Sequence, residues 1–403
     1  MKAMRRCVTG LLCFLCAFLI PLMVLDVPAF ADEAEEALSR MSLHEKVCQL
    51  FIVLPEQLSG TEKVTAGTGA LNKGLQRYPV GGVILFPANM VSGSRLTGLN
   101  AFMQTCSLEN TGIGLLIGVD EEGGGVSRVA NTFKLRERQQ AASAIGRGGD
   151  AKAAYRAGLA IGKYLSRYGF NLDFAPVMDV RSDVRDAEIT LRAFSKDPRT
   201  VGEMGLRFME GLRDHDIISV MKHFPGHGAV SGNTHDGQGT SLLTVEDWRN
   251  ADWLPFRAGI EAGAEMMMIS HQVAVNVDAE RPASLSPLIV TGLLRGELGF
   301  DGVAVTDALR MGAIKKSCST AEACVMALEA GCDMLLMPSS LREGYTGVMD
   351  ALASGRLTEE RIDESVRRIL RMKDHHGLID VDFGAAEEPD EGPGPAGETE
   401  SRK

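Results

Sequence analysis

Eight short apolar runs, each followed by a stretch with helical periodicity, constrain what this chain can fold into more than any other feature. The runs are Gln49–Val53, Gly82–Phe86, Leu115–Asp120, Asn171–Pro176, Ser219–Phe224, Glu265–His271, Gly302–Asp307 and Cys332–Pro338. Strands alternating with helices pair in parallel through right-handed crossovers, and eight such units predict closure into a (β/α)8 TIM barrel. Runs as continuously apolar as Met266-Met267-Met268-Ile269 fit strands covered on both faces. Between the runs, Asp150–Tyr168 is rich in the strong helix former alanine and ends at Gly169. Thr358–His376 sets Ile362, Val366, Ile369, Leu370 and Met372 on one stripe before Gly377, as the last helix of a barrel would. A length of 403 residues, 45% hydrophobic and 24% charged, suits one fold of this size.

The two ends read differently. Lys2, Arg5 and Arg6 precede an apolar stretch from Leu11 to Val24, and Ala29-Phe30-Ala31 offers small residues for a signal peptidase. The apolar stretch is short for a membrane span and is interrupted by Pro21, although an uncleaved anchor stays open. Beyond Asp382 the sequence is Glu, Pro, Gly and Ser with little to bury, the composition of a disordered tail. The expected organisation is a leader over 1–31, a barrel over 32–380 and an acidic tail over 381–403, in a secreted or extracytoplasmic protein. With a net charge of −11, such a chain is poorly suited to nucleic acid. After residue 31, Cys48, Cys106, Cys318, Cys324 and Cys332 are odd in number and match no disulfide framework or zinc spacing. They read as buried free thiols, and no metal site or cofactor is apparent.

The chemistry gathers at the C-terminal ends of the runs. Asp120 ends the third, Lys222 and His223 lie near the end of the fifth, His271 ends the sixth and Asp307 ends the seventh. A parallel barrel turns these ends toward one rim, where the active sites of this fold are built. Any single Asp there could be a helix cap, but five polar residues converging on one rim argue for a site. The loop Asp120-Glu121-Glu122-Gly123-Gly124-Gly125-Val126-Ser127-Arg128 lacks the spacing of a nucleotide cradle. A carboxylate and a guanidinium on one loop suit bidentate hydrogen bonds to neighbouring sugar hydroxyls. Lys222-His223-Phe224-Pro225-Gly226-His227-Gly228 opens a long loop that reaches His235 and could close over a substrate.

Together and in order, Asp120–Arg128, Arg192-Ala193-Phe194 with Asp197-Pro198, Lys222–Gly228, Pro282–Ser286 and Thr306-Asp307-Ala308-Leu309 with Met311 resemble glycoside hydrolase family 3. The likeness is to its single-domain β-N-acetylhexosaminidases and runs over about residues 41 to 378, with Met41–Phe51 and Gly81–Phe86 plus Asn89 fitting the family's opening. The resemblance implies a retaining exo-β-N-acetylglucosaminidase in which Asp307 is the nucleophile and His235 the acid/base. Asp120, Arg128, Arg192, Lys222 and His223 then hold the terminal N-acetylhexosamine. Imidazole suits the acid/base role because its ordinary pKa lies near working pH.

The chain departs from the family pattern on the His235 loop. Asn233 stands where the family carries an Asp that orients the histidine, and Ala229 replaces another common Asp. Losing such an orienting carboxylate can cost orders of magnitude in a histidine-dependent enzyme. Asp236 beside His235 is a substitute to consider, and His227 reads as structural. Alternatives stay open: a β-glucosidase or β-xylosidase of the same family, a phosphorylase, or a sugar-binding homologue with weakened catalysis.

Overall fold

The computed structural model describes residues 33–182, 189–231, 239–380 and 383. The expected leader, the His235 loop and the expected tail apart from Phe383 lie outside the described residues. Two short helices, Glu33–Arg40 and Leu43–Gln49, lead into the first strand. Eight parallel strands follow: β1 (Phe51–Val53), β2 (Gly82–Ile84), β3 (Leu116–Val119), β4 (Leu172–Asp173), β5 (Ile218–Phe224), β6 (Met266–Ile269), β7 (Val303–Thr306) and β8 (Leu335–Leu336). Each expected run holds one of them, except that β5 begins one residue before its run, at Ile218. The main helices that alternate with them are α1 (Gly69–Arg77), α2 (Gly93–Thr111), α3 (Ala151–Arg167), α4 (Pro198–Arg213), α5 (Trp253–Glu261), α6 (Leu288–Glu297), α7 (Thr320–Ala330), α8 (Leu341–Ala353) and α9 (Glu359–His375). Among the described residues no helix is long and apolar enough to cross a membrane.

Each strand pairs with its sequence neighbours, β1 also pairs with β8, and the parallel bridge Val305–Met334 joins β7 to β8. The sheet therefore closes as a (β/α)8 barrel. Its strands are buried on both faces, which is why they read as unbroken apolar runs.

Helix ends follow local chemistry and trim the sequence expectations by one residue. Asp150 caps α3 by accepting from Lys152 N at 3.0 Å, and Thr358 caps α9 by accepting from Arg361 N at 3.2 Å. Both residues therefore stand outside their helices. Helices α3 and α4 approach closely because Gly158 and Gly211 face each other's backbone: a β-carbon at Gly158 would run into the Phe208 carbonyl oxygen. The five cysteines after residue 31 are all free thiols, four of them buried and Cys318 half-buried.

The seam between β7 and β8 is fastened at its base by Asp333, which is fully buried. Its carboxylate accepts from Ala304 N at 2.8 Å, from the Ser365 hydroxyl at 2.8 Å and from Arg368 Nη1 at 3.3 Å, and it pairs with Arg295. One acid thus joins β7, β8, α6 and α9. Removing one partner of a buried ion pair strands the others. Asp333→Ala is expected to lower stability by about 3 kcal/mol, measured by denaturant unfolding. A loss below about 1 kcal/mol, the range of an exposed pair, would show that this knot does not hold the seam.

Candidate active site

The C-terminal rim opens into a cleft of about 870 Å³. It is lined by Asp120, Glu122, Arg128, Arg192, Lys222, His223 and Asp307 among others, so six of the seven site residues expected from sequence meet in one place. The seventh, His235, lies outside the described residues.

The loop after β3 folds back as a short antiparallel ribbon, Glu121–Gly123 against Val126–Ser127. Its turn depends on Gly123 and Gly124, at φ +93° and +59°, a region that strains other residues. The two adjacent glutamates of this ribbon then part. Glu121 turns inward, accepting from Val129 N at 2.7 Å, Ala130 N at 3.0 Å and the Tyr164 hydroxyl at 2.8 Å. It thereby holds the first turn of the helix Arg128–Phe133 and sets Arg128 at the cleft wall. The Arg128 Nε is buried without a hydrogen-bond partner among the described residues.

Glu122 faces the cleft floor. It takes a two-pronged contact from Arg192, Nε and Nη2 each at 2.7 Å, and a third from Lys222 Nζ at 2.7 Å. Lys222 Nζ also reaches Asp120 Oδ1 at 3.0 Å. Burial pushes the Glu122 carboxyl up, but Arg192 and Lys222 outweigh it and hold the group well below the usual carboxylate range. Burial likewise opposes the charge on Lys222, and Glu122 with Asp120 restores it.

Lys222 and His223 are consecutive on β5, where a regular strand would point them to opposite faces. The register of β5 against β6 shifts between Met221 and Phe224, and both side chains line the cleft. His223 Nδ1 lies 2.7 Å from Asp179 Oδ2, while Asp179 Oδ1 accepts from the His223 and His227 backbone amides. Arg192 Nη2 stands 3.4 Å from His223 Nε2. Arginine only donates, so Nε2 is the acceptor and the proton sits on Nδ1. Burial pushes the His223 imidazole down against the pull of Asp179, which keeps it neutral near neutral pH.

Asp307 follows β7 directly. Its amide donates to Ile269 O at 2.8 Å, and its Oδ1 accepts from Ala308 N at 2.7 Å. Burial raises its carboxyl, but His271, His223, Ala308 N and Lys222 together hold it below the usual range, so it is ionised across ordinary pH. A carboxylate kept charged, half-buried and open to a cleft can serve as a nucleophile.

His271 corrects the sequence reading. It ends its run as expected, yet it is fully buried and does not line the cleft. Its Nδ1 lies 2.7 Å from the Ser284 hydroxyl and its Nε2 3.1 Å from Ala308 O, so it braces the backbone beneath Asp307. Glu122 and Asp179 were the residues that sequence reasoning missed. Glu122 was visible on its loop with nothing to mark its partners, and Asp179 follows the fourth run as a lone acid among Val177, Met178 and Val180.

Fold and cleft together define a (β/α)8 barrel with a charged cleft at its C-terminal rim. The glycosyl hydrolase family 3 N-terminal domain matches residues 42–372. Beta-hexosaminidase A of Pseudoalteromonas piscicida is 33% identical over 338 residues, 75% of this chain and 54% of that protein. Beta-hexosaminidase of Chromobacterium violaceum is 33% identical over 318 residues, 76% of this chain and 86% of that protein. The solved family 3 β-N-acetylglucosaminidase from Paenibacillus sp. str. FPU-7 superposes with a TM-score of 0.76 at 33% identity, covering 87% of this chain and 65% of that one. The chain belongs to glycosyl hydrolase family 3. It spans about half the length of the Pseudoalteromonas relative.

Glu122 carries the first test. Glu122→Ala leaves two cations facing each other and is expected to destabilise the fold by about 3–5 kcal/mol. Glu122→Gln keeps the shape without the charge and, on the function proposed below, is expected to weaken binding of N-acetylglucosamine at least about tenfold, the effect of about 1.4 kcal/mol. Denaturant unfolding and ligand titration read these two outcomes, and unchanged values in both would remove Glu122 from the site.

The buried histidines carry the second. His223 and His271 are both held below their ordinary pKa, by burial first. The unfolded chain then binds more protons than the folded one below about pH 6.5, so stability present above that pH is lost on acidification. The depressed carboxylates Glu122, Asp179 and Asp307 act in the same direction, but only below about pH 4. Burial raises the carboxyls of Asp252, to about 7, of Asp173 and of Glu121, and these oppose the rings over the same range. The rings are therefore read directly: the imidazole resonances of His223 and His271 are expected to titrate below pH 6.5, and titration at or above 6.5 would contradict their neutral buried state.

Proposed function

We propose that this chain is an exported, retaining exo-β-N-acetylglucosaminidase that removes terminal β-linked N-acetylhexosamine from peptidoglycan fragments or related amino-sugar chains. The observation that carries the reading is the ionised Asp307 carboxylate in a cleft whose floor and wall are Glu122, Arg192, Lys222, His223 and Arg128. The β-hexosaminidase names of the relatives support the amino-sugar specificity, and the apolar stretch behind Lys2, Arg5 and Arg6 supports export.

In this reading Asp307 attacks the anomeric carbon as the bond to the leaving sugar breaks. His235 gives its proton to the departing oxygen. The sugar is then held as an ester of Asp307. His235, now neutral, takes a proton from water, and the resulting hydroxide displaces Asp307 and releases the sugar with its configuration retained. The charged floor holds the non-reducing sugar through paired donors and acceptors to adjacent hydroxyls.

Asn233 favours a second reading, a sugar-binding homologue with weakened acid catalysis, because a neutral amide cannot stabilise the imidazolium as a carboxylate does. One set of assays separates the two. Wild type is expected to hydrolyse an aryl β-N-acetylglucosaminide, and Asp307→Ala to lose about 10⁴-fold or more. His235→Ala is expected to slow an N-acetylglucosamine disaccharide about 10²–10⁴-fold, and the aryl substrate far less because its leaving group needs little protonation. Asn233→Asp is expected to speed the disaccharide more than the aryl substrate. Binding of N-acetylglucosamine without turnover in wild type would support the binding homologue instead.

A further inference from the structure

We propose that Glu265, His375 and His376 form a binding site for a divalent transition-metal ion of the zinc class, at the N-terminal face of the barrel and opposite the cleft. Glu265 immediately precedes β6, so it stands at the base of the barrel. His375 is the last residue of α9 and His376 is its cap. The structure turns both imidazoles onto one carboxylate: His375 Nδ1 lies 2.7 Å from Glu265 Oε1, and His376 Nε2 lies 2.8 Å from Oε2. One potential ligand atom from each residue lies within 4.8 Å of the others. Among the described residues, no other three His, Cys, Asp or Glu side chains converge in this way.

The donor set selects the ion. Two imidazole nitrogens and one carboxylate oxygen are the ligands that zinc takes at about 2.0–2.2 Å, leaving a fourth position for water. Tetrahedral ligands at that distance stand about 3.3 Å apart, so a small opening of the present contacts admits the metal. Calcium and magnesium ask for an all-oxygen shell and are disfavoured. Nickel and copper would compete for the same nitrogens. The carboxyl end of α9 carries partial negative charge, which favours a cation there. The site is also reachable: the His375 side chain is 72% exposed, while those of Glu265 and His376 are 28% and 11% exposed.

The metal would cross-link the last turn of α9 to the start of β6. Its effect belongs to stability, because the cleft lies on the other face. Without a metal, the same three residues make two imidazole–carboxylate hydrogen bonds, and that simpler arrangement is the competing outcome.

The test compares the full chain with His375→Ala/His376→Ala and with Glu265→Gln, titrated with Zn²⁺ against a chromophoric chelator and with Co²⁺ as a spectroscopic probe. Histidines near the cleft can also take up metal, so the difference between proteins is the readout. The double variant is expected to bind one equivalent fewer and to lack the intense visible band of four-coordinate Co²⁺ that wild type shows. Glu265→Gln is expected to weaken that equivalent by about tenfold or more, since even outer-shell partners of a metal ligand cost 10–100-fold. Zn²⁺ at 100 times its dissociation constant should raise the folded-to-unfolded ratio of wild type about 100-fold over any shift in the double variant. Hydrolysis of the aryl substrate should be equal in both. Equal stoichiometry in wild type and double variant, with no Co²⁺ band in either, would overturn the site.

Discussion

Closure of the parallel sheet is the constraint on which the rest of this molecule depends. A closed parallel barrel has no free edge, and every strand delivers its carboxyl end to one rim. Residues far apart in sequence, such as Asp120 and Lys222, come within 3.0 Å only because β3 and β5 end at the same height. The seam that completes the ring is its most local feature. The β7–β8 contact is short, and Asp333 ties it to two helices from beneath.

The site rests on a second physical device, the matching of buried charge. Two carboxylates, Glu122 and Asp120, share the cleft floor with a guanidinium and an ammonium, and each would be costly alone in that environment. Together they neutralise one another while leaving donors and acceptors aimed at a ligand. Neutral His223, oriented by buried Asp179, adds a ring beside this cluster without adding a further positive charge. The floor is therefore preorganised, and a ligand entering it need not drive large rearrangements of side chains.

Much of this was legible in the residues. The eight runs announce the barrel because strands covered on both faces must be apolar throughout. Asp120, Lys222, His223 and Asp307 stood out as polar groups ending apolar strands. Arg128 stood out as the guanidinium sharing a loop with Asp120, and Arg192 was legible through the likeness to the family, since nothing in its local pattern marks it. Glu122 and Asp179 were not legible, because their roles exist only through partners 70 and 44 residues away. His271 misled for the same reason: position at a strand end says nothing about whether a ring turns into the cleft or under its floor.

The parting of Glu121 and Glu122 has a consequence for how the cleft responds to a ligand. Glu121 is fastened to the helix Arg128–Phe133 and to Tyr164, while its neighbour is fastened to Arg192 and Lys222. Asp120, Glu122 and Arg128 thus ride on one short ribbon braced on both sides. They form a single mechanical part, and selection acting on the cleft would meet them as a module: a change in one resets the other two.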